Sequence, residues 1–229
     1  MIELAKWDSE NFGIKVGNVI PTESISEVWL DGIMSDARRD GYNLLYLKGI
    51  TLPEKMLSDN IVLADEKVIY AQITKNSCSY DEHVISILNK ELSDELLALA
   101  YESGKYSRYN LDGKFQKHVF PTLYKQWMGR SLSGEIATEV LGYVDSGRCC
   151  GMLTYKVEDN NVDIGLVAVS PEMAGKGIGS KLMHSFLSHL NLGTRVEVAT
   201  QKRNTVACHY YEKNGFVVDS ITNVYHIWL

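Results

Sequence analysis

Ile164-Gly-Leu-Val-Ala-Val-Ser-Pro-Glu-Met-Ala-Gly-Lys-Gly-Ile-Gly-Ser180 is the stretch on which the fold of this chain turns. Ile164 to Val169 is apolar, rich in β-branched side chains, and reads as a strand. A short loop with Gly175, Gly177 and Gly179 follows. Ile178, Leu182, Met183, Phe186, Leu187 and Leu190 then recur at helical spacing. Glycines carry no Cβ, so successive backbone N–H groups in such a loop turn toward one point at the positive end of the helix. The loop Gly175–Ser180 is therefore an expected anion site, with phosphate as the guest. Lys176 is followed by Gly177 rather than Ser or Thr, which argues against a nucleoside-triphosphate loop. A dinucleotide fold wants its first glycine directly after the strand and a third where Ser180 stands. Glu197 could imitate its ribose-binding acid, so that rival stays open beside a glycine connector that binds nothing.

The next segment, Val196-Glu-Val-Ala-Thr-Gln-Lys-Arg-Asn204-Thr-Val-Ala207-Cys-His-Tyr-Tyr211-Glu-Lys-Asn-Gly-Phe216, separates these readings. Taken with the loop, it resembles the GNAT acyltransferase superfamily, whose members move an acyl group from coenzyme A to an amine. Ala174-Gly-Lys-Gly177-Ile178-Gly179 matches that family's Gln/Arg-x-x-Gly-x-Gly/Ala loop, with Ala174 in place of the usual Gln or Arg. Asn204 to Phe216 matches its Asn-x-x-Ala-x-x-Phe/Tyr-Tyr-Glu-Lys-x-Gly-Phe signature almost residue for residue. A narrower likeness, good from about Ala98 onward, is to dTDP-fucosamine N-acetyltransferases. It is carried by Ser107-Arg108-Tyr109-Asn, Leu123-Tyr-Lys-Gln-Trp-Met, Leu166-Val-Ala-Val-Ser-Pro and Val198-Ala-Thr-Gln-x-x-Asn-Thr. Those enzymes acetylate the 4-amine of dTDP-4-amino-4,6-dideoxygalactose for surface polysaccharide.

The 229 residues are 45% hydrophobic and 23% charged, the composition of an ordinary globular protein. A net charge of -6 without a basic run argues against nucleic acid as the main partner. Cys78, Cys149, Cys150 and Cys208 form no Cys-x-x-Cys pair and read as thiols of a reducing cytosol. No basic-then-apolar leader opens the sequence and no apolar run approaches membrane-spanning length, so a cytoplasmic location without membrane insertion is expected. The six histidines show no ligand spacing, and no metal is expected.

Strands are expected at Lys15–Ile20, Tyr42–Leu47 and Val68–Ile73. Helices are expected after a Ser24/Glu27 capping box, from Ser93 to Gly104, and from Lys117 to Ser131. In the first helix Ile25, Val28, Trp29, Ile33 and Ala37 line one face, and Gly41 stops it. After Gly134 a meander follows, Glu139–Asp145, Cys150–Val157 and Val162–Val169. The Gly179–Leu190 helix then crosses to a parallel strand, Arg195–Thr200. Asn204 opens a helix that Gly215 ends, and Phe216–Ser220 with Val224–Leu229 closes the sheet as a hairpin. The pattern gives an α/β fold with a mixed sheet, and the resemblance implies a mixed, mostly antiparallel GNAT-type sheet flanked by helices. With the resemblance, residues 1–130 are expected to form a smaller N-terminal α/β domain contributing to the acceptor site, and residues 131–229 the acetyl-CoA-binding catalytic domain.

Acyl transfer to an amine needs a held donor, a deprotonated amine, a stabilised oxyanion and a proton for the departing thiolate. The resemblance implies acetyl-CoA as co-substrate, with contacts at Val167, Ala168, Val169, Ala174, Gly175, Lys176, Gly177, Ile178, Gly179, Ser180, Asn204 and Ala207. In the family the strand carrying Val167 to Val169 leaves its neighbour and offers backbone groups to pantetheine, and a bulge there would supply an oxyanion donor. Tyr211 is the candidate acid, since a phenol stays protonated at neutral pH; the alternative is an amphipathic helix residue on water. Tyr210 reads as core. Asn204 is expected to cap its helix or to bond the pantetheine arm. Glu197, Glu102, Asp145 and Asp163 are possible bases, each read first as a solvated or hydrogen-bonded carboxylate. Arg108, beside Tyr109, is the candidate for a nucleotide diphosphate, with a surface arginine on an aromatic turn as the alternative.

The leading expectation is an acetyl-CoA-dependent N-acetyltransferase of a nucleotide-linked amino-deoxysugar, with a homodimer as the one protein partner entertained. A GNAT enzyme of a protein or small-molecule amine, and a non-catalytic coenzyme A-binding protein, are the rivals.

Overall fold

A computed structural model describes residues 1–22, 25–75 and 79–229. In chain order the elements are β1 (Glu3–Leu4), α1 (Lys6–Phe12), β2 (Val16–Val19), α2 (Glu27–Arg39), β3 (Leu44–Lys48), β4 (Ile61–Ile73) and β5 (Val84–Ser86). Then come α3 (Asp94–Gly104), α4 (Arg108–Leu111), α5 (Val119–Leu132), β6 (Glu139–Asp145), β7 (Arg148–Glu158) and β8 (Asn161–Val169). The chain closes with α6 (Ile178–Ser188), β9 (Arg195–Gln201), α7 (Thr205–Lys213) and β10 (Val217–Trp228). These pack into two compact units, Met1–Lys67 with Ile221–Leu229, and Val68–Ser220. Packing therefore divides the chain inside β4 and β10, and α3, α4 and α5 belong with the strands that follow them.

In the first unit β1 pairs with β2 antiparallel, β2 with β3 parallel, and β3 with β10 antiparallel. Alternate residues Leu45 and Leu47 of β3 and Tyr225 and Ile227 of β10 enter one core with Val19, Leu30, Ala37 and Ile61. Ser26 caps α2 by accepting from the Trp29 N–H at 3.1 Å. The expected cap, Ser24, lies outside the described residues. Trp29, Ile33 and Ala37 do face the core, but Val28 is 81% exposed, contrary to the expected face. Leu30 takes the inner position instead, and two residues along a helix is a turn of about 200°, which sends Val28 outward. Gly41, at φ +76°, follows the helix as its left-handed stop.

In the second unit the strand order is β4-β9-β8-β7-β6-β5. β5, β6, β7 and β8 pair antiparallel in succession, and β8 and β9 are parallel, as a crossover through α6 requires. Leu182, Met183 and Phe186 of α6 are fully buried with Leu153, Val196, Val198, Tyr211 and Phe216. Each such apolar side chain contributes about 1.5–3 kcal/mol on leaving water. α3 packs on β7, β8 and α5. The mixed, mostly antiparallel sheet flanked by helices agrees with the sequence expectation. The closing hairpin does not: Val217–Trp228 is one strand. Ile221-Thr-Asn223, between the two expected strands, holds no Gly or Pro to break the strand, and it carries β10 from its exposed start into its buried end.

Candidate active site

The β8–β9 ladder runs from Asn161↔Arg195 to Ile164↔Val198. β8 continues to Val169 and β9 to Gln201, and no ladder pairs them further among the described residues. On its other side β8 stays paired with β7. Leu153 faces Val167 and Tyr155 faces Ile164, so Thr154 alone opposes Gly165 and Leu166. This is a bulge. The Leu166 N–H donates to Thr154 Oγ1 at 2.8 Å, and the Ser170 N–H donates to the Cys150 carbonyl at 2.8 Å. N–H groups two residues apart on a strand point the same way, so Leu166, Ala168 and Ser170 address β7. The backbone of Val167 and Val169 addresses the edge that β9 has left, while that of Ala168 serves the β7 ladder.

Where β8 ends, Gly175 and Gly177 adopt φ +78° and +77°, and no heavy atom lies within 4 Å of where a Cβ would stand on either. Gly177 is the N-cap of α6, and having no side chain it gives the N–H groups of the first turn no capping bond. The first intrahelical bond runs from the Lys181 N–H to the Gly177 carbonyl at 3.1 Å. The N–H groups of Ile178, Gly179 and Ser180 precede it and find no carbonyl in the helix. Ile178 is 3% exposed and pins the turn to the core, whereas Ala174 and Lys176 are exposed. Lys176 Nζ lies 3.1 Å from Met173 Sδ. Lys181 is ion-paired to Asp81 at 3.0 Å, so its charge is largely taken up there.

Asn204 Oδ1 accepts from the Ala207 N–H at 3.2 Å and starts α7. About two turns later Tyr211, 5% exposed, packs its ring 5.7 Å from Tyr70, 5.2 Å from Tyr210 and 5.9 Å from Phe216. Burial first, and the Cys208 thiol second, raise its phenol above the ordinary value of 10.0 and keep it protonated. Val167, Val169, Ile178 and Ala207 share the apolar cluster of Tyr211. Tyr210 packs on the same cluster, as expected, but its hydroxyl also donates to the Gly179 carbonyl at 2.7 Å. No sequence period links positions 31 apart, and only the smallness of Gly179 could have hinted at this contact.

Arg108 and Tyr109 lie on α4, outside that cluster. Tyr109 packs against Phe115 and Trp127, and the Arg108 guanidinium lies 4.4 Å over the Tyr109 ring and bonds its hydroxyl. Of the carboxylates weighed as bases, Glu197 accepts from Arg195 Nε at 2.6 Å, Glu102 pairs with Lys105, and Asp145 accepts from Ser146. A cleft of about 410 Å³ has Asp94, Glu95 and Glu102 of α3 facing Arg148, Ser170 and Glu172. Glu95 accepts from Arg148 Nε at 3.1 Å and from the Cys149 N–H at 3.2 Å, and these bonds hold its carboxyl below the usual range. Only Glu102 of this group stood out in the sequence, because Ser93-Asp-Glu reads there as a helix start. Among the described residues no group of three or more His, Cys, Asp or Glu is placed to hold a metal ion, and no helix is long and apolar enough to cross a membrane.

A family model described as the acetyltransferase (GNAT) family matches residues 96–216, which spans α3 to the end of α7. The chain belongs to that family. It is 26% identical over 138 residues to the spore coat polysaccharide biosynthesis protein SpsD of Bacillus subtilis (strain 168), covering 59% of this chain and 47% of that protein. The chain thus spans about half the length of that curated relative. A conserved protein of unknown function from Staphylococcus epidermidis ATCC 12228 superposes with a TM-score of 0.65 at 15% identity, over 94% of this chain and 84% of the other. A GCN5-related N-acetyltransferase from Sphaerobacter thermophilus does so with a TM-score of 0.57 at 13% identity, over 92% and 72%. At such identities these likenesses concern the fold.

Proposed function

We propose that the chain is an acetyl-CoA-dependent N-acetyltransferase acting, in the cytoplasm, on the amine of a nucleotide-linked amino-deoxysugar for surface polysaccharide. The observation that carries the coenzyme part is the opened β8 edge running into the glycine turn. Two glycines held at positive φ over open space, beside uncapped N–H groups, fit a pyrophosphate. Gly175 to Ser180 hold it, with Lys176 adding charge and Ala174 lining the entrance. Val167 and Val169 present backbone groups to the pantetheine arm, and Asn204 and Ala207 border it. Acetyl-CoA supplies the acyl group as a reactive thioester. The chain supplies a bulged strand whose Val167 N–H faces the open edge, and a proton kept at the Tyr211 hydroxyl for the leaving sulfur.

The acceptor part rests on Arg108 and Tyr109, in the segment before residue 131, where a guanidinium lies beside a wall of aromatic rings. Such a pair suits a diphosphate next to a ring that stacks. The likeness to SpsD, a spore coat polysaccharide biosynthesis protein, supports the sugar class. A second reading, a small cationic amine, is favoured by the four carboxylates that line the cleft against one guanidinium. Thiol release from acetyl-CoA, measured against nucleotide amino sugars, the free amino sugars and polyamines, decides between them. Under the leading reading only the nucleotide-linked sugar is turned over efficiently. Arg108→Ala then raises its apparent constant roughly tenfold or more, since a charge-assisted bond is worth about 1.5–3 kcal/mol. Equal use of the free sugar, or wild-type behaviour of Arg108→Ala, overturns the acceptor assignment.

A further inference from the structure

The hydroxyl of Tyr210 plays no part in the chemistry outlined above, yet it is aimed at the glycine turn. It donates to the Gly179 carbonyl at 2.7 Å, from a residue adjacent to the candidate acid. The ring is close as well: a Cβ on Gly179 would stand 3.0 Å from Tyr210 Cε2. Glycine at this position therefore lets α7 lie directly on the first turn of α6. The carbonyl of Gly179 and the N–H of Ser180 belong to one rigid peptide plane. That N–H has no acceptor within the helix, since the first helical bond begins at Lys181. A bond into the carbonyl end fixes the plane and draws electrons toward oxygen, which makes the N–H at the other end a stronger donor.

We propose that Tyr210 is a positioning residue of the anion site: its hydroxyl sets and polarises the Gly179–Ser180 peptide, so that the Ser180 N–H is held ready for a pyrophosphate oxygen. This rests on the reading of the glycine turn as the coenzyme pyrophosphate site. The phenol is suited to the task because burial, and then the neighbouring Tyr211, raise its pKa well above the ordinary value, so it keeps its proton to donate. One helix, α7, then carries the brace for the phosphate site and, at the next residue, the proton donor.

The test is calorimetric and needs no acceptor. Coenzyme A is titrated into the wild type, Tyr210→Phe, Gly179→Ala, their double variant and Gly177→Val. Tyr210→Phe, which removes one oxygen, is expected to weaken coenzyme A roughly three- to tenfold. Binding of S-acetylpantetheine, which has no pyrophosphate, should be unchanged. A merely structural tyrosine would lower the melting temperature and leave this difference between the two ligands where it was. Gly179→Ala should weaken coenzyme A too, and the double variant should lose less than the sum, because both act on one peptide plane. Unchanged coenzyme A affinity in Tyr210→Phe, with Gly177→Val impaired, overturns the proposal and leaves the site reading standing. Unchanged affinity in Gly177→Val as well removes the glycine turn, and the proposal with it.

Discussion

Tyr211 is where single-residue chemistry can be read most sharply. Replacing it with Phe keeps the ring among Tyr70, Tyr210 and Phe216 and deletes only the hydroxyl that carries the proton. Turnover of the best acceptor should fall roughly 10²–10⁴-fold, with acetyl-CoA affinity held. A burst experiment that confirms chemistry as the slow step makes the comparison valid, and near wild-type turnover would pass the proton to water. The same burial has a thermodynamic signature. An exposed phenol ionises near pH 10.0, while the folded protein holds the Tyr211 proton to higher pH. Below pH 10.0 both states keep the proton and this group gives stability no pH dependence. Above it the unfolded chain has released a proton that the folded chain retains, so stability falls as pH rises. Urea midpoints measured from pH 8 to 11 should decline more gently in Tyr211→Phe than in the wild type.

At the scale of the element, the bulge of β8 depends on a small residue and a hydroxyl placed opposite each other. A Cβ on Gly165 would stand 2.6 Å from Thr154 Oγ1, the atom that accepts the Leu166 N–H. Gly165→Ala should cost about 1–3 kcal/mol by displacing that acceptor and stranding a buried N–H. Adding Thr154→Ala removes the collision but not the stranded group, so the double variant should regain only part of the loss in chemical denaturation. If Gly165→Ala is neutral, the strand relaxes without the hydroxyl. Elements of this kind also show how much could be read beforehand. The β8–turn–α6 unit, the parallel β9 and the Asn204 cap follow from local patterns, namely β-branching, glycine placement and helical spacing. The two-residue β1 and the seven-residue helix α1 carry no comparable local signal, and of the 13-residue β4 only Val68–Ile73 reads as a strand. β4 alternates imperfectly because its buried and exposed positions do not keep period 2 along its length. The Glu95–Arg148 pair and the Tyr210–Gly179 bond join positions 53 and 31 apart, and only packing brings them together.

At the scale of the whole chain, Val68–Ser220 is a continuous segment, whereas the other unit is assembled from both ends. Val224 to Trp228 pair with Leu44 to Lys48, and the Leu52 N–H donates to the Tyr225 hydroxyl at 3.0 Å. A chain stopped after Ser220 should therefore keep slow amide exchange in β6 to β9 and lose it in β3. Protection of Leu45 and Leu47 in that truncated chain would show that β3 holds without its C-terminal neighbour. Leu44, Leu45 and Leu47 are fully buried, so without β10 they present a bare apolar strand to the surroundings. On the ribosome this has a cost in time. Residues 44–48 are made before their partner strand, which is delivered only after the intervening unit has been synthesised. At about 5–20 residues per second that wait lasts roughly ten to thirty seconds. Throughout it the newborn amino-terminal segment is a client for whatever shields sticky strands in the cell, and crowded overexpression should send it to inclusion bodies before the middle of the protein is ever at fault.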